Sequence, residues 1–333
     1  MESRESRVES EEQQKRPVVG ITIGDAAGIG PEIVLKALTD KKIIAVSRCV
    51  VIGDAAFSRN EAARLGIDSK NIDFFDLKNL PSKFEIGIDA AVTGKASAEN
   101  IEAAVGLWRD GQIDAICTAP ISKKAISLGG YDFPGHTEFL AQMTGTSEFR
   151  MSFFADKLRV VLLSTHLPIL AAIDLIKKDA LVELITFADR EIGKLLGRRV
   201  SIAVAGLNPH ASESGMFGSQ EADDITPAVE YCRLLGINVS GPYSPDTIFL
   251  RGYKGEFDAI IALYHDQATI AVKSISFGSG VNVTLGLPLI RTSVDHGTAF
   301  DIAGKGVGEA SSMVAAIRLA GELAAGSRLA GKV

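Results

Sequence analysis

The chain has 333 residues, more than one hydrophobic core usually organises, so two domains or lobes are expected. Hydrophobic residues make up 46% and charged residues 23%, ordinary soluble globular composition. The net charge of −6, without a Lys/Arg block, speaks against a nucleic-acid or membrane-surface partner, although a few cations in a pocket would still serve an anionic substrate.

Elements alternate along the chain. Residues 1–16 are polar and charge-mixed with no apolar segment, which reads as a disordered tail and not as a signal peptide. Val18 to Ile23 reads as a strand, followed by a Gly-rich turn and a helix from Pro31, where Pro suits the first helical turn and Glu32 the positive end of the dipole. Strands follow at 50–52 and 72–77, around a helix at 56–65. Residues 96–108 form an amphipathic helix with Ile101, Ala104, Val105 and Trp108 on one face. A strand at 115–118, a hairpin at 151–155 and 159–164, and a long helix at 181–196 come next. Then follow a strand at 200–205, a helix at 222–235, a strand at 259–264, an extended segment at 281–285 and a closing helix at 309–325. This order predicts α/β architecture with mostly parallel sheets. No run reaches the roughly 18 apolar residues of a membrane span. Cys49, Cys117 and Cys232 are far apart in apolar runs and read as core thiols of a reducing cytoplasm.

The histidines carry the chemical signal. His166, His210 and His265 each end or follow a short apolar, β-branched run, with Pro or Asp close by. Ligands of open α/β sheets bind at the carboxyl ends of strands, and neutral imidazole is the commonest metal ligand, so three such histidines suggest a metal site. A lone histidine of this kind would more often be a hydrogen-bonded structural residue. His136 and His296 lie in polar, Gly-rich segments. Gly135-His136-Thr137-Glu138 suits an anion, or Glu138 serves a helix start. Lys273 and Arg291, near the ends of apolar strands, would be costly to bury unless an anion such as phosphate met them; a surface salt bridge is the plain reading of either alone. The turn from Gly24 to Glu32 is neither GxGxxG nor a P-loop, and reads equally as a tight strand-to-helix turn or as a ligand contact. The polar segment Asp295 to Gly306 is too long for a simple turn.

At these residues the chain resembles the 4-hydroxythreonine-4-phosphate dehydrogenases of pyridoxal-phosphate biosynthesis. The matching motifs are GDAAGIGPE, TAPISK, PGHTE, STHLP, LNPHASESGMFG, GPYSPDT, YHDQ, VNVTLGLP and IRTSVDHGTAFDIAGKG, in order over nearly the whole chain. A weaker similarity, in the Gly-Ile-Gly-Pro-Glu and His-Gly-Thr-Ala segments, points to the isocitrate and isopropylmalate dehydrogenases. Two departures are Ala26, where the family has Pro, and Ala268-Thr269 after YHDQ.

The resemblance implies two α/β/α lobes with a cleft between them, residues 17–130 plus 290–333 forming the first and 131–289 the second. It implies His166, His210 and His265 as ligands of a divalent metal (Zn2+, Mg2+ or Co2+), shared across a homodimer. His136, Thr137, Lys273, Asn282 and Arg291 would contact the phosphorylated substrate. Asp295, His296, Gly297, Thr298 and Asp301 would hold NAD or NADP without a GxGxxG motif. The implied reaction is oxidation of the C3 hydroxyl followed by loss of CO2. The base is open between Asp246 and a metal-bound water, with Lys273 near the reacting centre. A sister activity on 4-phosphorylated threonate or erythronate, differing only at C2, is the nearest alternative. A non-catalytic metabolite-binding protein and a metal-dependent phosphohydrolase are the others; the latter would give the His296 loop no purpose.

Overall fold

The computed structural model describes residues 16–276 and 278–330. Fifteen residues of the expected tail lie outside them. In chain order the described elements are β1 (Val18–Thr22), α1 (Gly30–Ala37), α2 (Lys41–Val46), β2 (Arg48–Gly53), α3 (Ala55–Arg64), β3 (Asp73–Asp76), α4 (Ala91–Arg109), β4 (Ala115–Thr118), α5 (Lys123–Leu128) and α6 (His136–Thr144). Then come β5 (Arg150–Ala155), β6 (Leu158–Leu162), α7 (Ile169–Asp174), α8 (Lys178–Leu196), β7 (Ile202–Ala205), α9 (Thr226–Leu234), β8 (Val239–Tyr243), α10 (Pro245–Tyr253), β9 (Ala259–Ala262), α11 (His265–Ser276), β10 (Val281–Leu285), β11 (Ile290–Ser293) and α12 (Ser311–Ala330). The architecture is mixed α/β with mostly parallel strands.

The chain divides into two compact units, one of residues 16–149 with Leu287–Arg328, the other of Arg150–Gly286 with residues 329–330. The first boundary falls later than the expected 130/131. The reason is α6, whose Phe139, Leu140 and Ala141 belong to the same apolar cluster as Ile101, Val105 and Ile116.

In the first unit the strand order is β3-β2-β1-β4-β11, all parallel. Thr22, Thr118 and Ser293 stand in one row, so β1, β4 and β11 end together. Ile116 faces the α4 and α6 cluster, while its neighbours Ala115 and Cys117 point the other way and are equally buried, as a sheet covered on both faces requires. α4 starts at Ala91, earlier than its amphipathic pattern suggested. Gly94 hides the first turn from that pattern, and it is there for packing: a Cβ would lie 1.8 Å from the Ala125 carbonyl oxygen of α5. β11 escaped sequence reading because a strand of Ile-Arg-Thr-Ser has no apolar signature.

In the second unit the order is β10-β5-β6-β9-β7-β8, with β5 antiparallel to both neighbours and the rest parallel. Val160, Ala203 and Ile260 pack with Ile248 and Phe249 of α10 and Val272 of α11. Val161, Val204 and Ile261 alternate to the opposite face and are also fully buried. No helix of the described residues is long and apolar enough to cross a membrane.

Candidate functional site

In the first unit, the carboxyl edge of the sheet gathers three of the polar motifs. The Gly24–Glu32 turn leaves β1, the Ala119–Ser122 segment leaves β4, and the Asp295–Gly306 segment leaves β11. They are bound to one another: the Asp25 amide donates to the Pro120 carbonyl at 2.9 Å, and the Ile29 amide to the Thr298 carbonyl at 2.9 Å. Asp25 is fully buried and its carboxylate accepts the Ala27 amide at 2.9 Å; burial pushes its pKa up despite that bond. Gly28 carries no side chain because the 295–306 segment sits on it. A Cβ there would approach Thr298 to 2.9 Å.

Behind this edge lies Arg291, 3% exposed, which donates from Nη2 to Thr118 Oγ1 at 2.8 Å. Burial pushes its guanidinium down to about 10. His136 opens α6 beside it. Part of the residue reaches solvent, but its Nε2 does not, and that nitrogen has no hydrogen-bond partner among the described residues. Burial, and then the Arg291 charge, hold its pKa well below the ordinary 6.5. The pair is a neutral imidazole and a buried cation at a helix start, an arrangement suited to an anion. Thr137 is half-buried in the same first turn.

In the same unit, the 295–306 segment keeps His296, Gly297 and Asp301 exposed and Asp295 and Thr298 half-buried. His296 Nδ1 lies 3.1 Å from the Gly297 carbonyl. A side chain added at Gly297 would meet nothing within 4 Å, so the loop presents an open face with an imidazole, a carboxylate and backbone amides. That donor set suits the hydroxyls and base of a nucleotide.

The second unit holds the other histidines. β6, β9 and β7 are adjacent and parallel, so His166, His265 and His210 leave neighbouring strands at one edge. His166 and His265 have ring centroids 5.5 Å apart and line a concavity with Thr165, Leu167, Tyr264 and Asp266. His265 Nδ1 lies 2.7 Å from Asp266 Oδ1. His210 is exposed and begins a run of non-glycine residues, through Ser214, all in the left-handed region. Such geometry costs roughly 1–2 kcal/mol per residue and persists only where the surroundings impose it. Just before the run Glu221 anchors the backbone: one oxygen accepts the Leu207 and Asn208 amides, both at 2.8 Å, and the other accepts Asn208 Nδ2.

Against known proteins, a match to the family described as Pyridoxal phosphate biosynthetic protein PdxA spans residues 33–320. The chain belongs to the PdxA family. A D-threonate 4-phosphate dehydrogenase of Cupriavidus necator is 45% identical over 92% of this chain and 97% of its own. A 4-hydroxythreonine-4-phosphate dehydrogenase of Desulforapulum autotrophicum is 42% identical over 92% and 95%. The crystal structure of the 4-hydroxythreonine-4-phosphate dehydrogenase of Klebsiella pneumoniae superposes with a TM-score of 0.84 at 37% identity, covering 92% of this chain and 99% of that one.

Within this PdxA chain the structure joins some expected site residues and not others. The Arg291 charge reaches His136. His166 and His265 meet, but no group of three metal-capable side chains forms among the described residues, so His210 does not complete a cluster within one chain. The chain by itself therefore offers two imidazoles of the expected three. The burial argument does not hold for Lys273, which is exposed on α11. Asn282 lies half-buried on β10, its Oδ1 buried and unpartnered among the described residues. Asp246 is exposed in the first turn of α10, where Ser244 Oγ donates to it at 2.5 Å. The cysteines are free, and burial lifts Cys49 to about 11 and Cys117 to about 12, so neither supplies a thiolate at neutral pH. Sequence reasoning missed Thr118 as the Arg291 partner, and Glu221 and Gln267 as supports. Gln267 bridges two strand ends, accepting the Leu263 amide and donating to the Gly206 carbonyl, both at 2.8 Å. Its only sequence signal was its place in the YHDQ motif.

Proposed function

We propose that this chain is a metal-assisted, NAD(P)+-dependent dehydrogenase of 4-(phosphooxy)-L-threonine. It passes hydride from C3 to the nicotinamide and releases the hydroxyl proton to a base, forming 2-amino-3-oxo-4-(phosphooxy)butanoate. That β-keto acid loses CO2 to give 3-amino-2-oxopropyl phosphate, within pyridoxine and pyridoxal phosphate biosynthesis. The observation that carries the reading is the buried Arg291 beside a neutral His136, in a chain of this family.

In this reading Arg291, His136 and Thr137 hold the phosphate and thereby fix C3, with Lys273 and Asn282 as further substrate contacts. Asp295, His296, Gly297, Thr298 and Asp301 hold the cofactor. Asp246, exposed and hydrogen-bonded through one oxygen, is the candidate base, with Lys273 as a second group near the reacting centre. A divalent ion, when bound, supplies Lewis-acid polarisation of the hydroxyl. His166 and His265 are its donors in one chain, and His210 enters from a second copy. Apolar side chains flank both ligand segments in the open: Leu167, Ile169 and Leu170 after His166, Met216 and Phe217 after His210. A homodimer with shared sites would cover them. The free thiols, of which Cys117 and Cys232 are buried and Cys49 half-buried, agree with a reducing cytoplasm.

A second reading rests on the 45% identical D-threonate 4-phosphate dehydrogenase. The same oxidation on 4-phospho-threonate or 4-phospho-erythronate would yield, after loss of CO2, a hydroxyketone phosphate instead of an aminoketone phosphate. NADH formation with 4-(phosphooxy)-L-threonine and with 4-phospho-D-threonate, side by side with added metal, tests both. Turnover of the threonate alone would replace the first reading by the second, and turnover of neither would remove both.

A further inference from the structure

We infer that the Gly24–Glu32 turn is the seat of the cofactor loop and that Glu32 is the positioning residue that fastens it. The inference rests on the reading of residues 295–304 as the cofactor loop. The Glu32 side chain is 2% exposed, an unusual place for a carboxylate unless its lone pairs are filled. They are filled by the loop. Oε1 accepts the Gly308 amide at 2.6 Å and Lys36 Nζ at 2.8 Å; Oε2 accepts the Gly306 amide at 3.1 Å and has Arg64 Nη2 at 3.8 Å.

The two cations extend the clamp. Lys36 Nζ also donates to the Gly306 and Gly308 carbonyls at 2.9 Å, and Arg64 Nη1 to the Gly304 carbonyl at 2.9 Å. Further along, the Ile29 amide holds the Thr298 carbonyl. The loop is thus tied at 298 to the first strand-to-helix turn, at 304 to α3 and at 306 and 308 to α1, while His296 and Gly297 before the first tie and Asp301 after it stay exposed. The fixed ends and the free face divide two tasks: Glu32 sets where the loop lies, and the exposed residues meet the dinucleotide. This gives the Gly-rich turn a purpose without direct ligand contact.

The test is NADH affinity, read by fluorescence titration of the full-length protein, with KM for the phosphorylated substrate measured alongside. Glu32→Gln keeps shape but places an amide NH2 against one of the loop donors. It should weaken NADH binding about tenfold, the equivalent of roughly 1.4 kcal/mol, and leave substrate KM within about twofold. Should Glu32→Gln fail to fold, Lys36→Met, whose ammonium is partly solvated, reads the same clamp. Gly297→Trp, built into open space over the loop, probes the loop directly. Weaker NADH binding in both the clamp and the loop variant supports the inference. A loss confined to Gly297→Trp overturns the role of Glu32 and leaves the loop reading standing. No loss in either overturns both. An equal rise in substrate KM and NADH dissociation constant in Glu32→Gln also overturns it, because general damage and not loop placement would be the cause.

Discussion

Replacing Arg291 by Met tests the anion site most directly. The guanidinium is 3% exposed, so water cannot take over a contact it loses. Truncating one partner of a buried, hydrogen-bonded charge pair costs roughly 2–5 kcal/mol, which corresponds to about 30-fold up to a few thousandfold in affinity. The depth of Arg291 favours the upper part, so KM for the phosphorylated substrate should rise by about several hundredfold or more. The fold should change little. Met loses the hydrogen bond to Thr118 Oγ1, about 1 kcal/mol, but also removes the charge whose burial already drags the pKa to about 10. The midpoint of thermal unfolding should therefore stay within about 4 °C. Initial rates of NADH formation at varied substrate and varied NAD+, together with a thermal melt, give all three quantities. A substrate KM that does not move, or one that rises no more than KM for NAD+, would refute the placement of the phosphate at Arg291.

Other outcomes follow from the same geometry. His136 titrates near 6.5 when unfolded but stays neutral to much lower pH when folded, so the unfolded chain takes up its proton first; stability is lost as pH falls through 6.5 toward the folded pKa. The urea midpoint should thus drop more between pH 7.5 and 5.5 in the native chain than in His136→Asn, and equal drops would contradict a buried neutral imidazole. His210→Ala should lower both bound divalent metal, measured by elemental analysis after dialysis, and turnover; full metal content with full activity would remove His210 from the ligand set, and full activity in chelator would remove the metal. Glu221→Ala leaves the Leu207 and Asn208 amides without their acceptor and should cost about 2–4 kcal/mol in unfolding free energy, and a loss under 0.5 kcal/mol would show that Glu221 does not anchor this segment.

The strands and the α/β order were legible because apolar, β-branched runs have few other uses. Candidate site residues could be singled out only where chemistry and position coincided, as in the histidines at strand ends and Arg291. What stayed hidden was of two kinds. Short elements such as β11, with its polar Arg-Thr-Ser, and α5 and α6, with only two or three buried apolar residues each, are too short to show a period. Partners across the chain were equally hidden: nothing local to Arg291 points to Thr118, which stands 173 positions away. Lys273 shows where the plain reading applies. A cation that sequence places beside an apolar run can still sit on the solvent face of a helix, as Lys273 does on α11.

Both units solve one problem in the same way. Loops at the carboxyl edge of a parallel sheet must present polar groups to a ligand, so they cannot order themselves by burying side chains. Their backbone amides still need acceptors once the loop is packed. Glu32 on α1 takes the Gly306 and Gly308 amides in one unit, and Glu221, just before α9, takes the Leu207 and Asn208 amides in the other. A carboxylate suits this better than a neutral side chain, because each of its oxygens accepts more than one donor and the charge shortens the bonds. Burial pushes the Glu32 carboxyl up, but the bonds from Lys36 and from the Gly308 and Gly306 amides outweigh it and hold the group below its usual pKa, so the clamp stays charged at neutral pH. The residues that order the loops are therefore different from the residues that would meet ligand. This lets side chains such as His210, His296 and Asp301 stay exposed while the backbone near them is fixed.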